Sequence, residues 1–329
     1  MEDQPTLQQL LWQAQASSRL SAALAHVLGQ IAAASKVVAQ SVARAALTGN
    51  LGLAGERNAT GDDQKKLDVL CNATFFDILK RTGAVAAIVS EENEEAQYLD
   101  CGRDADYIVA LDPVDGSSNL DTGGMVGTIF GIYRRHGRGG CADARDVLQR
   151  GLDLVAAGYV LYSVATTFVF ALDGSVEGFT LDQPSGAYRL SHRAIKCPPS
   201  GPYYSANLAN RPGWSAETRA FVDFLAKNRD ADGKHYSLRY SGALVADFHR
   251  ILLEGGIYLY PADQDHPNGK LRLLYECAPL AFLAEASGGA ATDGARRILE
   301  IVPESIHQRI PLAIGGRTEV QNYIERSAL

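Results

Sequence analysis

Leu111-Asp112-Pro113-Val114-Asp115-Gly116-Ser117-Ser118-Asn119 follows directly on the apolar run Tyr107-Ile108-Val109-Ala110-Leu111. A short run rich in Val and Ile suits a strand buried on both faces, and such strands belong to sheets covered by helices on either side. A second run of the same kind, residues 84–90, ends in Glu91 and Glu92. Carboxylates at the ends of neighbouring buried strands point into one crevice, the place where α/β sheets usually hold ligands. The two runs together therefore predict an α/β fold with an acidic crevice. Within the turn, Pro113 fixes one φ and removes a donor, while Gly116 permits close backbone approach. Asp112 and Asp115 can then face one ion, with the Val114 carbonyl as a further hard oxygen donor. The amides of Gly116 and Ser117 are left to meet phosphate oxygens. The plain alternative is an Asx turn linking two elements.

Outward from this turn, residues 6–47 carry Leu20, Leu24, Val27, Leu28, Ile31, Val38 and Val42 on one stripe, which predicts a long helix. The glycines at 49, 52, 55 and 61 predict a mobile loop, and residues 63–81 a second helix stopped by Gly83. Residues 128–134 read as strand and 156–190 as hairpins turning at Asp173-Gly174 and Ser185-Gly186, with 136–150 a surface loop. Cys197-Pro198-Pro199-Ser200-Gly201-Pro202 is the linker candidate. Helices are expected near 216–228, 241–254 and 273–287, with strands near 257–260 and 312–315.

The 329 residues carry a formal net charge of -7 and no basic run, which argues against nucleic acid as a partner. Cys71, Cys101, Cys141, Cys197 and Cys277 are scattered singly, so reduced cytoplasmic thiols are expected rather than a disulfide framework or a cysteine zinc site. No segment is expected to reach the ~20 apolar residues of a membrane span.

Other acids and cations have both bland and chemical readings. Glu91-Glu92-Asn93-Glu94-Glu95 could be a solvated loop, but its position after a buried strand favours the crevice. Asp62 and Asp68 flank a helix start, where acids are favoured anyway. Lys270, Arg272 and Glu276 could form surface ion pairs. Several carboxylates in one crevice repel without cations, and Mg²⁺ accepts such oxygen ligands together with substrate phosphate.

Taken together these segments resemble class I fructose-1,6-bisphosphatase. The matching stretches are Gly61-Asp62-Asp63-Gln64-Lys65-Lys66-Leu67-Asp68-Val69, Val89-Ser90-Glu91-Glu92 and residues 111–119, with 127–133, 155–159, 260–262 and 269–276 following in order. The turn is shared with the inositol monophosphatase-like group, whose late ligand comes from a Trp-Asp motif. Neither Trp12 nor Trp214 precedes an Asp, and Glu276 stands at the late acidic position.

The resemblance implies a layered αβαβα sugar-phosphatase fold with two sub-domains in one compact unit, residues 1–196 carrying most metal ligands and 197–329 the remote-phosphate clamp and Glu276. It implies hydrolysis of the 1-phosphate of fructose 1,6-bisphosphate by metal-activated water, in gluconeogenesis or a Calvin-type cycle, by a cytoplasmic enzyme. Metal ligands would be Glu91, Glu92, Asp112, Asp115, Glu276 and the Val114 carbonyl, for Mg²⁺ or Mn²⁺. Asp62, Asp68 and Glu92 would orient and deprotonate water. Asp115, Gly116, Ser117, Ser118 and Arg272 would hold the reacting phosphate end. Asn207, Arg239, Tyr240, Tyr260 and Lys270 would clamp the remote phosphate, with Arg239 reaching across a subunit interface of a homotetramer. Sedoheptulose 1,7-bisphosphate is the alternative substrate, and a non-catalytic sugar-phosphate-binding regulator the alternative of another class.

Two departures concern regulation. Ala16-Ser17-Ser18-Arg19-Leu20-Ser21 stands where AMP-inhibited members carry a glycine-containing segment, and Asp106 replaces a phosphate-binding lysine, so weak AMP inhibition is expected. Cys141 is the one cysteine of loop 136–150, so no disulfide within that loop and no reductive activation through it are expected.

Overall fold

The computed structural model describes residues 4–57, 63–99, 105–137 and 141–327. Asp62 and Cys101 lie outside the described residues.

The expected long N-terminal helix is two helices, α1 (Leu7–Ala16) and α2 (Ala22–Thr48), broken where Ser18 takes φ 56. Capping explains the break. Thr6 and Gln9 cap α1 reciprocally, and the Ser21 hydroxyl accepts from Leu24 N, restarting the chain as α2. The region after α2 holds a strand pair, β1 (Leu53–Arg57) and β2 (Asp63–Lys65), so the second helix begins three residues later than expected, as α3 (Lys66–Leu79). A single 3₁₀ turn follows it, closed by Gly83 at φ 65.

The main sheet contains β3 (Val85–Ser90), β4 (Gln97–Tyr98), β5 (Tyr107–Asp115), β6 (Val126–Arg134), β7 (Leu154–Tyr162), β8 (Thr166–Leu172), β9 (Ser175–Asp182) and β10 (Ala187–His192). Its order is β10-β9-β8-β7-β6-β5-β3-β4, with β3 and β5 parallel and the other pairs antiparallel. The short α4 (Ala144–Val147) lies in the expected surface loop. Next come β11 (Tyr203–Ala206), α5 (Ala216–Lys227), β12 (Ser237–Leu238), α6 (Leu244–Glu254), β13 (Ile257–Tyr260) and β14 (Leu271–Arg272). The chain ends with α7 (Ala278–Ala286), β15 (Ala290–Thr292), β16 (Arg309–Ile310), β17 (Leu312–Gly315) and α8 (Arg317–Ser327). The second sheet has the order β12-β11-β13-β17-β15.

Helices α1, α2 and α3 cover one face of the main sheet, α6 and α7 fill the space between the sheets, and α5 and α8 pack on the far side. The layering is αβαβα. The middle layer explains where the site forms. It buries Val245, Phe248, Ile251, Leu280 and Leu283 against both sheets, so the starts of α6 and α7 are driven against the ends of β5 and β6.

Three further expectations are corrected. The helix expected from 273 starts as a five-residue π turn, Leu273–Cys277, before α7. Among the described residues one helix, α2, is long and apolar enough to cross a membrane, with mean hydropathy 1.4 over its best window. Its apolar stripe is instead core: Val27, Leu28, Ile31, Ala34 and Val38 are buried, and Ser35 Oγ meets Tyr188 OH at 2.8 Å. Cys71, Cys197 and Cys277 are free and buried, whereas Cys141 is disulfide-bonded, so the thiols are not all reduced.

Candidate active site

Strand β5 is buried along its whole length and carries the decisive turn at its end. Its ladder with β6 slips between Asp112↔Ile129 and Asp115↔Gly127, a bulge centred on Pro113, which has no N–H to give. The Thr128 hydroxyl donates to the Pro113 carbonyl at 2.8 Å, and Val114 N donates to Asp112 Oδ1 at 3.0 Å. Two acids that strict alternation would send to opposite faces thereby reach one cleft. Gly116 follows at φ +76, where a Cβ would sit 2.5 Å from the Ala243 Cβ. That contact lets the start of α6 close on the turn. Ala243, the N-cap, gives α6 no side-chain cap. Asp115 does so from a distant strand, accepting Leu244 N at 3.1 Å and Val245 N at 2.7 Å.

Glu91 and Glu92 stand at the end of β3, parallel to and beside β5. Arg272 Nη2 holds Glu91 Oε1 at 2.9 Å, and Gln64 Nε2 donates to Glu92 Oε2 at 2.5 Å. Asp68 sits in the first turn of α3, where Lys65 N donates to its Oδ2 at 2.8 Å. Glu276 comes from the π turn and accepts from Arg272 N. A π turn swings a side chain off the normal helical register, here toward the strand ends. Carboxylate oxygens of Asp112, Asp115 and Glu276 all lie within 4.8 Å of one another. The acids line one open cleft of about 850 Å³, solvent included, together with Val114, Gly116, Ser117, Ser118, Lys65, Lys270 and Arg272.

Crowding and burial push these carboxyls up. Burial holds Asp112 well above its ordinary value, aided by Glu91, Glu276 and Asp115. Burial likewise raises Asp68 to about 7, Glu92 to about 8 and Glu276 to about 8. Asp115 is raised by burial to about 7 even though two helix amides pull it down. Acids so placed require protons or cations. The donor set is all oxygen, and the buried Asp68 Oδ1 has no hydrogen-bond partner. Both features fit a hard divalent cation.

The other expected residues divide. Lys270 and Arg272 reach the acidic cleft. Arg239 and Tyr240 line a neighbouring hollow with Asp247, His249 and Arg250 instead. Arg239 is exposed, its Nη1 donating at 2.8 Å to Ser237 Oγ. Burial raises Tyr240 to about 12, with the nearby Tyr260, Asp247 and Asp115 adding to the shift. Asn207 Oδ1 accepts from Ala209 N at 3.2 Å. Sequence reasoning missed the partners that hold these groups. Asp121 takes Lys65 Nζ at 2.5 Å, and Asp247 accepts from Ser241 N at 3.0 Å. Asp121 in a 3₁₀ turn and Asp247 in the first turn of α6 stand alone in the sequence and offer no spacing to find them by.

A family model described as "Fructose-1-6-bisphosphatase, N-terminal domain" matches residues 5–193, and one described as "Fructose-1-6-bisphosphatase, C-terminal domain" matches residues 197–327. The chain belongs to the fructose-1,6-bisphosphatase family. It is 51% identical over 323 residues to "Fructose-1,6-bisphosphatase class 1 2" of Acaryochloris marina, covering 98% of this chain and 97% of that relative. It is 45% identical over 295 residues to "Fructose-1,6-bisphosphatase class 1" of Chlorobaculum tepidum, covering 89% of each. The crystal structure of Leishmania major fructose-1,6-bisphosphatase in holo form superposes with TM-score 0.93 at 36% identity, covering 99% of each chain. The bisphosphatase fold is therefore the αβαβα arrangement described above. At the break between α1 and α2, the amides of Ser17, Ser18, Arg19 and Leu20 are all bonded to α1 carbonyls.

Proposed function

We propose that this bisphosphatase removes the 1-phosphate of fructose 1,6-bisphosphate, giving fructose 6-phosphate and phosphate. The observation that carries the reading is the convergence of Asp112, Asp115 and Glu276 in an open cleft that also presents Lys270 and Arg272. Glu91, Glu92, Asp112, Asp115, Glu276 and the Val114 carbonyl would hold Mg²⁺, with Mn²⁺ able to replace it. Bound there, the metal would offset the clustered negative charge and supply a Lewis acid toward phosphate oxygens.

The chain's own groups do the remaining work. Asp68, raised to about 7 and with one oxygen free, is suited to take a proton from the attacking water, a role that Glu92 and Asp62 would share. Ser117 opens a short 3₁₀ turn after Gly116, so its first amides lack an intrahelical acceptor and can face the reacting phosphate, joined by Asp115, Ser118 and Arg272. Lys270, Tyr260, Tyr240 and Asn207 would fix the remote phosphate. Arg239 would serve a neighbouring subunit's cleft in a homotetramer, a role that suits an exposed side chain outside its own acidic cleft. In this reading residues 1–196 and 197–329 are the two sub-domains. The enzyme is cytoplasmic and serves gluconeogenesis or a Calvin-type cycle. AMP inhibition is weak, because the amides at the α1–α2 break are already engaged.

Phosphate release from fructose 1,6-bisphosphate and sedoheptulose 1,7-bisphosphate, with Mg²⁺ and with Mn²⁺, tests the reading. Fructose 6-phosphate is the expected product. Preference for the seven-carbon substrate would replace the substrate assignment, and silence on both would favour a sugar-phosphate-binding regulator.

A further inference from the structure

We infer that His307 is a positioning residue for the acidic cleft, locking the Glu91–Glu92 turn to the π turn that carries Glu276. The inference rests on the metal-dependent reading above and names a group that touches neither metal nor substrate. The cleft needs acids from two separate parts of the chain. Glu91 and Glu92 follow β3, whereas Glu276 lies in the segment Leu273–Cys277. An error of about an ångström between these parts would separate ligands that must share a cation.

His307 bridges them with both ring nitrogens. Nε2 lies 2.9 Å from the Asn93 carbonyl, and Nδ1 lies 2.8 Å from the Tyr275 hydroxyl. A carbonyl only accepts, so Nε2 carries the proton and Nδ1 is left to accept from Tyr275. One neutral tautomer thus satisfies both contacts. Tyr275 is fully buried beside Glu276, and its ring meets the imidazole edge-on at 74°. The chain around His307 is itself fastened to the π turn, because Leu273 N donates to Gln308 O at 2.8 Å.

From Asn93 the bonds continue into the acidic turn. Asn72 Nδ2 donates to Asn93 Oδ1 at 2.9 Å, Ser90 Oγ donates to Asn72 Oδ1 at 2.8 Å, and Glu92 N donates to Ser90 Oγ at 3.3 Å. The turn is therefore gripped from α3 on one side and from His307 on the other. The Arg272–Glu91 pair is a second strap between the same two parts. Hydrogen-bonded partners behind metal ligands commonly change metal affinity about 10–100-fold when removed.

Titration calorimetry of Mn²⁺ into chelator-stripped protein tests this, comparing wild type with His307→Phe, His307→Gln and Tyr275→Phe. His307→Phe keeps the ring volume and removes both bonds, and is expected to weaken Mn²⁺ binding about tenfold. Glutamine can still donate toward Asn93, so His307→Gln is expected within about threefold of wild type. KM for fructose 1,6-bisphosphate at saturating metal should not change. Equal Mn²⁺ affinity in wild type and His307→Phe would overturn the inference alone, as would His307→Gln falling as far as His307→Phe. A wild-type protein that binds no Mn²⁺ would overturn the metal reading and this inference with it. Should His307→Phe fail to fold, Tyr275→Phe decides: binding about threefold weaker supports the bridge, and unchanged binding overturns it.

Discussion

Glu319, in the first turn of α8, is as buried as any acid among the described residues, and its Oε1 collects Ser200 Oγ at 2.6 Å, Tyr236 OH at 2.9 Å and Gly201 N at 3.4 Å. Burial raises its pKa, and the hydroxyls of Ser200 and Tyr236 pull it back down. The acidic cleft is the opposite case. There Asp112, Asp115 and Glu276 face one another, and repulsion from nearby carboxylates, Glu91 in each case, adds to burial in raising all three. The first arrangement gathers neutral donors on one oxygen of a single buried acid, with Oε2 left without a partner, and it ties the 197–202 linker to α8. The second leaves charge for something else to balance. Burial alone does not mark a functional acid; the ratio of donors to carboxylates does.

Substitution should separate the two kinds sharply. Asp112→Asn is expected to lower kcat by two to three orders of magnitude, about 3–4 kcal/mol of transition-state stabilisation. The same change relieves repulsion, so the metal-free protein should melt at or above the wild-type temperature, as expected where function keeps a site strained. Scanning calorimetry in chelator, beside steady-state rates, reads both effects. Glu319→Ala should do the reverse. It strands the Ser200 and Tyr236 hydroxyls and should cost about 2 kcal/mol in a denaturant titration, with kcat unchanged. A Glu319→Ala enzyme that is stable but inactive would break the distinction.

The acidic cleft should also respond to pH. An acid whose folded pKa is raised stabilises the fold fully below its unfolded value near 4 and loses that contribution as pH rises through the folded value. For Asp68 and Asp115 the folded value is about 7, and for Glu92 and Glu276 about 8. Metal-free protein should therefore lose roughly 5 °C of melting temperature between pH 5.5 and 8.5, and saturating Mg²⁺ should flatten that slope. A steeper slope with metal than without it would count against the assignment. Smallest is the effect of Lys270→Ala, expected to raise KM about tenfold with kcat nearly unchanged, the pattern of lost uniform binding. A large fall in kcat at constant KM would move Lys270 from substrate grip into the chemistry.

Much of this was legible in the sequence, for identifiable reasons. The β3 and β5 runs, with the acids at their ends, were readable because strands buried on both faces are continuously apolar. Strands β12, β14 and β16 have two residues each, too few to show any period. The N-terminal break was missed because the apolar stripe runs on either side of Ser17-Ser18, and only the caps at Thr6 and Ser21 reveal two helices. The capping of α6 by Asp115 was likewise hidden, since it joins residues far apart in the chain. Asn72, Asn93 and His307 carry no spacing signal either, because tertiary contacts alone bring them together.

An acidic cleft built for a divalent cation should work only with one. The most direct measurement is phosphate release from fructose 1,6-bisphosphate by chelator-stripped protein as MgCl₂ is added back. The structure predicts no turnover before addition and a saturable return of activity with Mg²⁺. Full-rate turnover in excess chelator would contradict it.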